Sequence, residues 1–205
     1  MNFGLVVLGA HFGVWLTDVI KKYKKDNSLL VEPVPYNYKI LKKNFEEFSN
    51  IYICTNAIYS SNKNDYFYYV KENSISKLGK HWASQIGSFK KQHILDHKSK
   101  RFKIKESDII KEKIEFITFD NLVNKYSIDS IDRLQIDVEG SEYEILKSIN
   151  LEKVKINSIF FETKHFDGTF KEGDKLEEIK NKLIENNYNI KQLDIENMLA
   201  EKNYL

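Results

Sequence analysis

Two carboxylates, Asp137 and Glu139, stand close together in the stretch L-Q-I-D-V-E-G-S, residues 134–141. The residues before Asp137 read as an apolar strand, and Tyr143, Leu146 and Ile149 recur after it at helical spacing. Ser141 and Glu144 have the S-x-x-E spacing of a capping box, which predicts a helix starting there. Both acids therefore fall at the carboxyl end of a strand, where open α/β sheets place their ligands. A carboxylate so placed can orient a polar acceptor or take its proton as a general base. Asp137 is the first candidate to orient the acceptor, and Glu139 or His165 to act as base. Glu139 reads equally well as a turn carboxylate stabilising the helix amino end, and His165 as a loop histidine without a role. Asp137, Glu162 and His165 also have the ligand types of a divalent-metal site, although no metal ligand is assigned to the chain.

A second group of residues could hold a nucleotide. Residues 4–8 (G-L-V-V-L) form a short apolar run of the kind that becomes a buried parallel strand, and they lead into Gly9-Ala10-His11-Phe12-Gly13. Strand, glycine-bearing turn and helix together let the backbone approach a ligand that faces a helix amino end. The spacing is G-x-x-x-G, and His11 stands where the dinucleotide fingerprint would need glycine. A tight strand–helix packing turn is the plainer alternative. The next strand, residues 29–31, ends in Glu32, placed to accept hydrogen bonds from both ribose hydroxyls. Pro33 and Pro35, the chain's two prolines, stiffen the loop that follows. A third strand, residues 51–54, is followed by Asn56 and Ala57, where an adenine would lie in a doubly wound sheet; a simple turn asparagine is the alternative.

The elements that must position these groups alternate along the 205 residues. Helices are expected over residues 14–25, 36–48, 119–126 and from 174 to 187, and strands at 66–70, 114–118 and 156–161. A closing hairpin is expected over residues 188–195 and 198–202, with its turn near Glu196-Asn197. Alternation of this kind makes the class α/β with a mainly parallel sheet. One domain spans residues 1–205, with an irregular insert or lid at about 73–105. Within that insert, after residues 81–89, Lys90, Lys91, Lys98, Lys100, Arg101, Lys103 and Lys105 outnumber Asp96, read as a solvated face or as a lid that draws in an anionic substrate. The 32 basic and 30 acidic residues nearly cancel, which gives no bulk argument for nucleic acid. A single cysteine, Cys54, precludes an internal disulfide framework and fits a reducing cytoplasm. No segment approaches the roughly 20 apolar residues of a membrane span.

These motifs together resemble the FkbM family of S-adenosylmethionine-dependent methyltransferases. Residues 134–149 (L-Q-I-D-V-E-G-S-E-Y-E-I-L-K-S-I) are similar to that family's most specific motif, and residues 117–126 to the helix before it. L-V-E-P-V-P-Y (30–36), W-A-S-Q-I-G-S-F (82–89) and the final L-D-I-E-N-M-L-A look like one subfamily. The resemblance implies a Rossmann-like class I methyltransferase fold, a seven-stranded sheet with helices on both faces and a C-terminal antiparallel hairpin. It implies S-adenosyl-L-methionine as cofactor, with Gly9, Ala10 and Gly13 around its methionine portion and His11 among the cofactor-binding residues. Glu32 would hold the ribose, Asn56 and Ala57 would flank the adenine, and Asp137 would lie near the sulfonium. The implied chemistry is O-methylation of a hydroxyl on a sugar, glycan or small metabolite. His11 and Phe12 depart from the polar pair usual in the family's first loop, as Val7 does from the acid often found before it. A nicotinamide-dependent oxidoreductase and a catalytically decayed binding module are the competing functions. A small-molecule or glycan partner is expected, without nucleic acid or membrane span; self-association is left open.

Overall fold

Residues 3–8 carry no polar side chain, and all six are buried at the middle of the molecule. The computed structural model describes residues 1–23, 26–79, 81–97, 104–164, 166–167 and 173–204. Its strands are β1 (Asn2–Leu8), β2 (Asn27–Val31), β3 (Ile51–Cys54), β4 (Ala57–Ile58), β5 (Lys63–Val70), β6 (Gly87–Ser88), β7 (Ile109–Ile117), β8 (Ser130–Ile136), β9 (Lys155–Glu162), β10 (Tyr188–Gln192) and β11 (Asn197–Lys202). Its α-helices are α1 (Thr17–Lys22), α2 (Pro35–Asn44), α3 (Glu72–Leu78), α4 (Lys91–Asp96), α5 (Phe119–Lys125), α6 (Glu142–Ser148) and α7 (Asp174–Glu185).

Seven strands form the main sheet in the order β10-β11-β9-β8-β1-β2-β3. The pairs β1–β2, β1–β8, β2–β3 and β8–β9 are parallel, and β11 runs antiparallel to both β9 and β10. Strand side chains alternate between faces, so each central strand feeds two layers. Val6, Leu8, Leu29 and Val31 join Leu122 of α5, Ile145 and Leu146 of α6, and Ile179 and Leu183 of α7. Leu5, Val7 and Leu30 face the other way and pack on Ile20 of α1 and Leu41 of α2. Apolar burial on both faces explains why these strands read as continuous hydrophobic runs. The expected α/β class, parallel sheet and antiparallel hairpin are all present.

Boundaries shift in physically readable ways. The helix expected over residues 14–25 is a 3-10 turn at Val14–Leu16 followed by the short α1. Helix α2 starts at Pro35, whose missing N–H is no loss at a first helical position, and ends at Asn44 rather than 48. The expected strand at 66–70 is the end of the longer β5, and that at 114–118 belongs to β7. Neither joins the main sheet. They form a second, four-stranded sheet in the order β4-β7-β5-β6. The region at about 73–105 contributes α3, β6 and α4 to this layer. Lys98, Lys100, Arg101 and Lys103 of the basic run lie outside the described residues. Val34, Tyr36, Ala57, Phe67, Tyr69 and Phe116 make the apolar contact between the second sheet and the loops at the carboxyl ends of β2 and β3.

Candidate active site

The two sequence motifs meet at Gly9. Its N–H and that of Ala10 both donate to the Val31 carbonyl, at 3.0 and 2.9 Å, and the Asp137 N–H donates to the Leu8 carbonyl at 3.0 Å. Gly9 has φ +89°, and a Cβ added there would lie 1.7 Å from the Asp137 carbonyl oxygen. No other residue permits that approach of the two strand ends. Gly13 has a different duty: a Cβ there would meet the Phe45 and Leu41 side chains at 2.3 and 2.6 Å, so it lets α2 pack closely.

Glu32 lies beneath the loop and is buried. One oxygen accepts from the His11 N–H at 2.9 Å; the other accepts from the Val34 N–H at 2.9 Å and the Asn37 amide at 3.3 Å. Burial pushes its carboxyl up to about 7, against the opposing pull of those donors. A carboxylate offers about four acceptor directions, so roughly one is left for a ligand hydroxyl. His11 itself has φ +51° and its Nε2 lies 2.7 Å from the Ser84 hydroxyl of the second layer, while its ring stacks on Phe12 at 3.7 Å. The departure from the usual polar pair thus ties the loop to the layer above it.

At the other strand end, Asp137 is pushed up to about 7, first by burial and then by the charges of Glu139 and Glu196. The following turn is held by Glu142, whose two oxygens accept from the Val138 N–H at 2.7 Å and the Gly140 N–H at 2.9 Å. Ser141 is the helix N-cap but its side chain makes no capping bond, so the expected Ser141/Glu144 box is replaced by Glu142. Burial raises Glu142 to about 8 and Glu162 to about 9. The carboxylates of Asp137, Glu142 and Glu162 lie within 4.8 Å of one another, so their mutual repulsion adds to the desolvation. His165 lies outside the described residues.

A cleft opens between the sheet's carboxyl edge and the second layer. Gly9, His11, Glu32, Ala57, Asp137 and Glu139 line it together. Ala10, Gly13 and Asn56 do not: Ala10 is packed under the loop, and Asn56 is held by Glu115 at 2.6 Å and Lys125 at 2.8 Å. Trp15, Val34, Phe67, Gln85 and Phe89 are among the other wall residues and were not singled out as site residues from the sequence. Gln85 and Phe89 fall inside W-A-S-Q-I-G-S-F, whose mixture of an aromatic, small residues and an amide was their only signal.

A family model described as the methyltransferase FkbM domain matches residues 8–191, most of the chain. Among solved structures, the chain is similar to a methyltransferase FkbM from Methylobacillus flagellatus KT, at 14% identity and a TM-score of 0.54. The match covers 98% of this chain but 43% of that one, so the chain spans less than half of that relative's length. It is also similar to the fibrillarin pre-rRNA processing protein of Methanococcus jannaschii, at 14% identity, a TM-score of 0.50, and coverage of 98% and 66% respectively. At such identities these structures speak for the fold. No curated protein matches the sequence significantly.

Proposed function

The chain belongs to the FkbM methyltransferase family, and from that premise we propose that it is an S-adenosylmethionine-dependent O-methyltransferase acting on a hydroxyl of a sugar, glycan or small metabolite. The observation that carries this reading is the convergence of the Gly9 loop, Glu32 and Asp137 on one cleft. The residues present fit the cofactor. Glu32 retains an acceptor direction toward the cleft, as a ribose hydroxyl requires, and Val34, Ala57, Ile58 and Phe89 offer apolar walls suited to a purine. Gly9 and His11 would flank the methionine portion.

When bound, the cofactor supplies an electrophilic methyl group on a sulfonium. The chain's part is to hold an acceptor oxygen in line with that methyl, since near-attack positioning removes a large part of the barrier to such a bimolecular displacement. Asp137 takes the hydroxyl proton as the new bond forms; a carboxyl raised to about 7 is well matched to proton transfer near neutral pH. Glu139, on the same rim, orients the acceptor or assists the proton transfer.

Calorimetric titration with S-adenosylhomocysteine and with NAD tests the reading. S-adenosylhomocysteine is expected to bind and NAD is not. Binding of NAD alone would sink the proposal in favour of an oxidoreductase, and binding of neither would favour a non-catalytic module. A mass-spectrometric search for methylated products in glycan and metabolite extracts identifies the acceptor, and Asp137→Asn should abolish their formation without lowering the melting temperature.

A further inference from the structure

Helix α4 and its C-cap place His93 and His97 four residues apart, on one face and one turn. Their rings lie edge to face with centroids 4.7 Å apart. Glu139 comes to the same point from the turn after β8, far away in sequence. Its Oε2 lies 3.8 Å from His93 Nε2 and 3.5 Å from His97 Nε2, and donor atoms of all three residues fall within 4.8 Å of one another. From this geometry we infer that His93, His97 and Glu139 form a binding site for a divalent first-row transition-metal ion at the rim of the cleft.

Three features support the assignment. First, His97 Nδ1 lies 3.2 Å from the His93 carbonyl oxygen, which can only accept, so Nδ1 carries a hydrogen there. In the neutral ring Nε2 then presents a lone pair toward the Glu139 carboxylate. A metal ion between that lone pair and the carboxylate would satisfy both, as a proton on the ring also would, and a backbone carbonyl on the distal nitrogen is the usual way a metal-ligating imidazole is oriented. Second, donors bonded to one tetrahedral ion at about 2.0–2.1 Å stand about 3.4 Å apart, so small side-chain rotations would close the observed spacing. Third, Glu139 adopts φ +56°, a backbone setting that a glycine or asparagine fills more easily, and the result is that its carboxylate reaches both imidazoles. Two imidazoles and one carboxylate suit zinc, iron(II), cobalt or manganese better than magnesium or calcium.

Glu139 also lines the cleft and is close in sequence to Asp137. An ion there would polarise an acceptor hydroxyl presented to Asp137. That role rests on the methyl-transfer reading; binding of the ion does not.

The test uses the full chain freed of metal by EDTA, titrated with ZnCl₂ by calorimetry and with CoCl₂ by visible absorption. One equivalent should bind, Co²⁺ should show ligand-field bands, and Zn²⁺ should raise the melting temperature. His97→Ala and Glu139→Gln should each weaken Zn²⁺ binding by about 10-fold or more. The melting temperature of each metal-free variant separates loss of a ligand from loss of the fold, and Glu139→Gln carries the comparison if His97→Ala does not fold. Absence of saturable binding overturns the site and leaves a histidine–carboxylate ion pair. Binding that survives both substitutions and is lost in Glu162→Gln moves the ion to the acidic cluster and equally overturns it. S-adenosylhomocysteine titrated into the same samples reads the methyltransferase proposal separately: its failure to bind beside intact Zn²⁺ binding would remove the function and keep the metal site.

Discussion

The carboxylate of Glu32 accepts from the His11 N–H on one side of the cleft and from the Val34 N–H on the other. As a residue at a strand end it reads as a ribose ligand; in three dimensions it is also the clasp between the first loop and the proline-stiffened second one. Glu32→Ala would leave two buried backbone donors without their acceptor, each a loss of about 1–3 kcal/mol unless water replaces it. The expected outcome is a fall of about 2 kcal/mol or more in urea-unfolding stability together with at least about 10-fold weaker binding of S-adenosylhomocysteine. Unchanged affinity in a folded variant would remove Glu32 from the ribose site. Glu142 has a similar structural duty at the other strand end, and its identity was hidden because S-x-x-E points to Glu144 while the buried acid is the neighbour of the N-cap.

At the scale of elements, the site exists because β1 and β8 lie side by side and parallel, with Leu8 paired to Ile136. Their following turns therefore start level with each other, and Gly9 is where they touch. Gly9→Ala combines a positive φ with a contact of 1.7 Å to backbone that cannot swing aside. The variant should lose on the order of 3 kcal/mol or more, read as a lower urea midpoint. A midpoint equal to that of the parent would show that the turns can separate without cost. The second sheet is the element the sequence hides best. Its strand β6 has two residues, too few for any periodicity, and β5 begins with the exposed or half-exposed Lys63, Asn64 and Asp65. Strand β7 carries Lys111, Glu112 and Lys113 in succession between apolar residues, so its pattern does not say which sheet it joins.

Across the whole molecule, buried and half-buried carboxyls collect at one edge of the sheet. Glu32, Asp137, Glu142 and Glu162 are raised to about 7, 7, 8 and 9, desolvation leading in every case. Such groups hold protons in the folded chain that the unfolded chain has already released. Their contribution is therefore fully present below the ordinary carboxylate range and is lost as pH rises through the folded values. The melting temperature should accordingly fall between about pH 5 and about pH 9, corresponding to a loss on the order of several kcal/mol. Glu162 faces Asp137, Glu139, Glu142 and Lys164, and Glu162→Gln removes one acid from that set. Its melting curve should be less pH-dependent and higher at the alkaline end. A parent protein whose stability rises over that interval would contradict the burial of these acids.

Local pattern was enough for the class, for the strand–turn–helix around residues 134–149, for the closing hairpin, and for the family, because side-chain periodicity and short motifs are properties of neighbouring residues. Six of the proposed site residues, Gly9, His11, Glu32, Ala57, Asp137 and Glu139, come together at the cleft because each lies just past the carboxyl end of a strand of the parallel sheet. What they face was decided elsewhere. Ala10, Gly13 and Asn56 share the right turns yet point into packing or into Glu115 and Lys125, a distinction fixed by side-chain direction and not by position in the chain. The roof of the cleft and the meeting of His93, His97 and Glu139 depend on how the second layer packs over the main sheet. Such long-range contacts leave no period in the sequence, so only the tertiary structure could supply them.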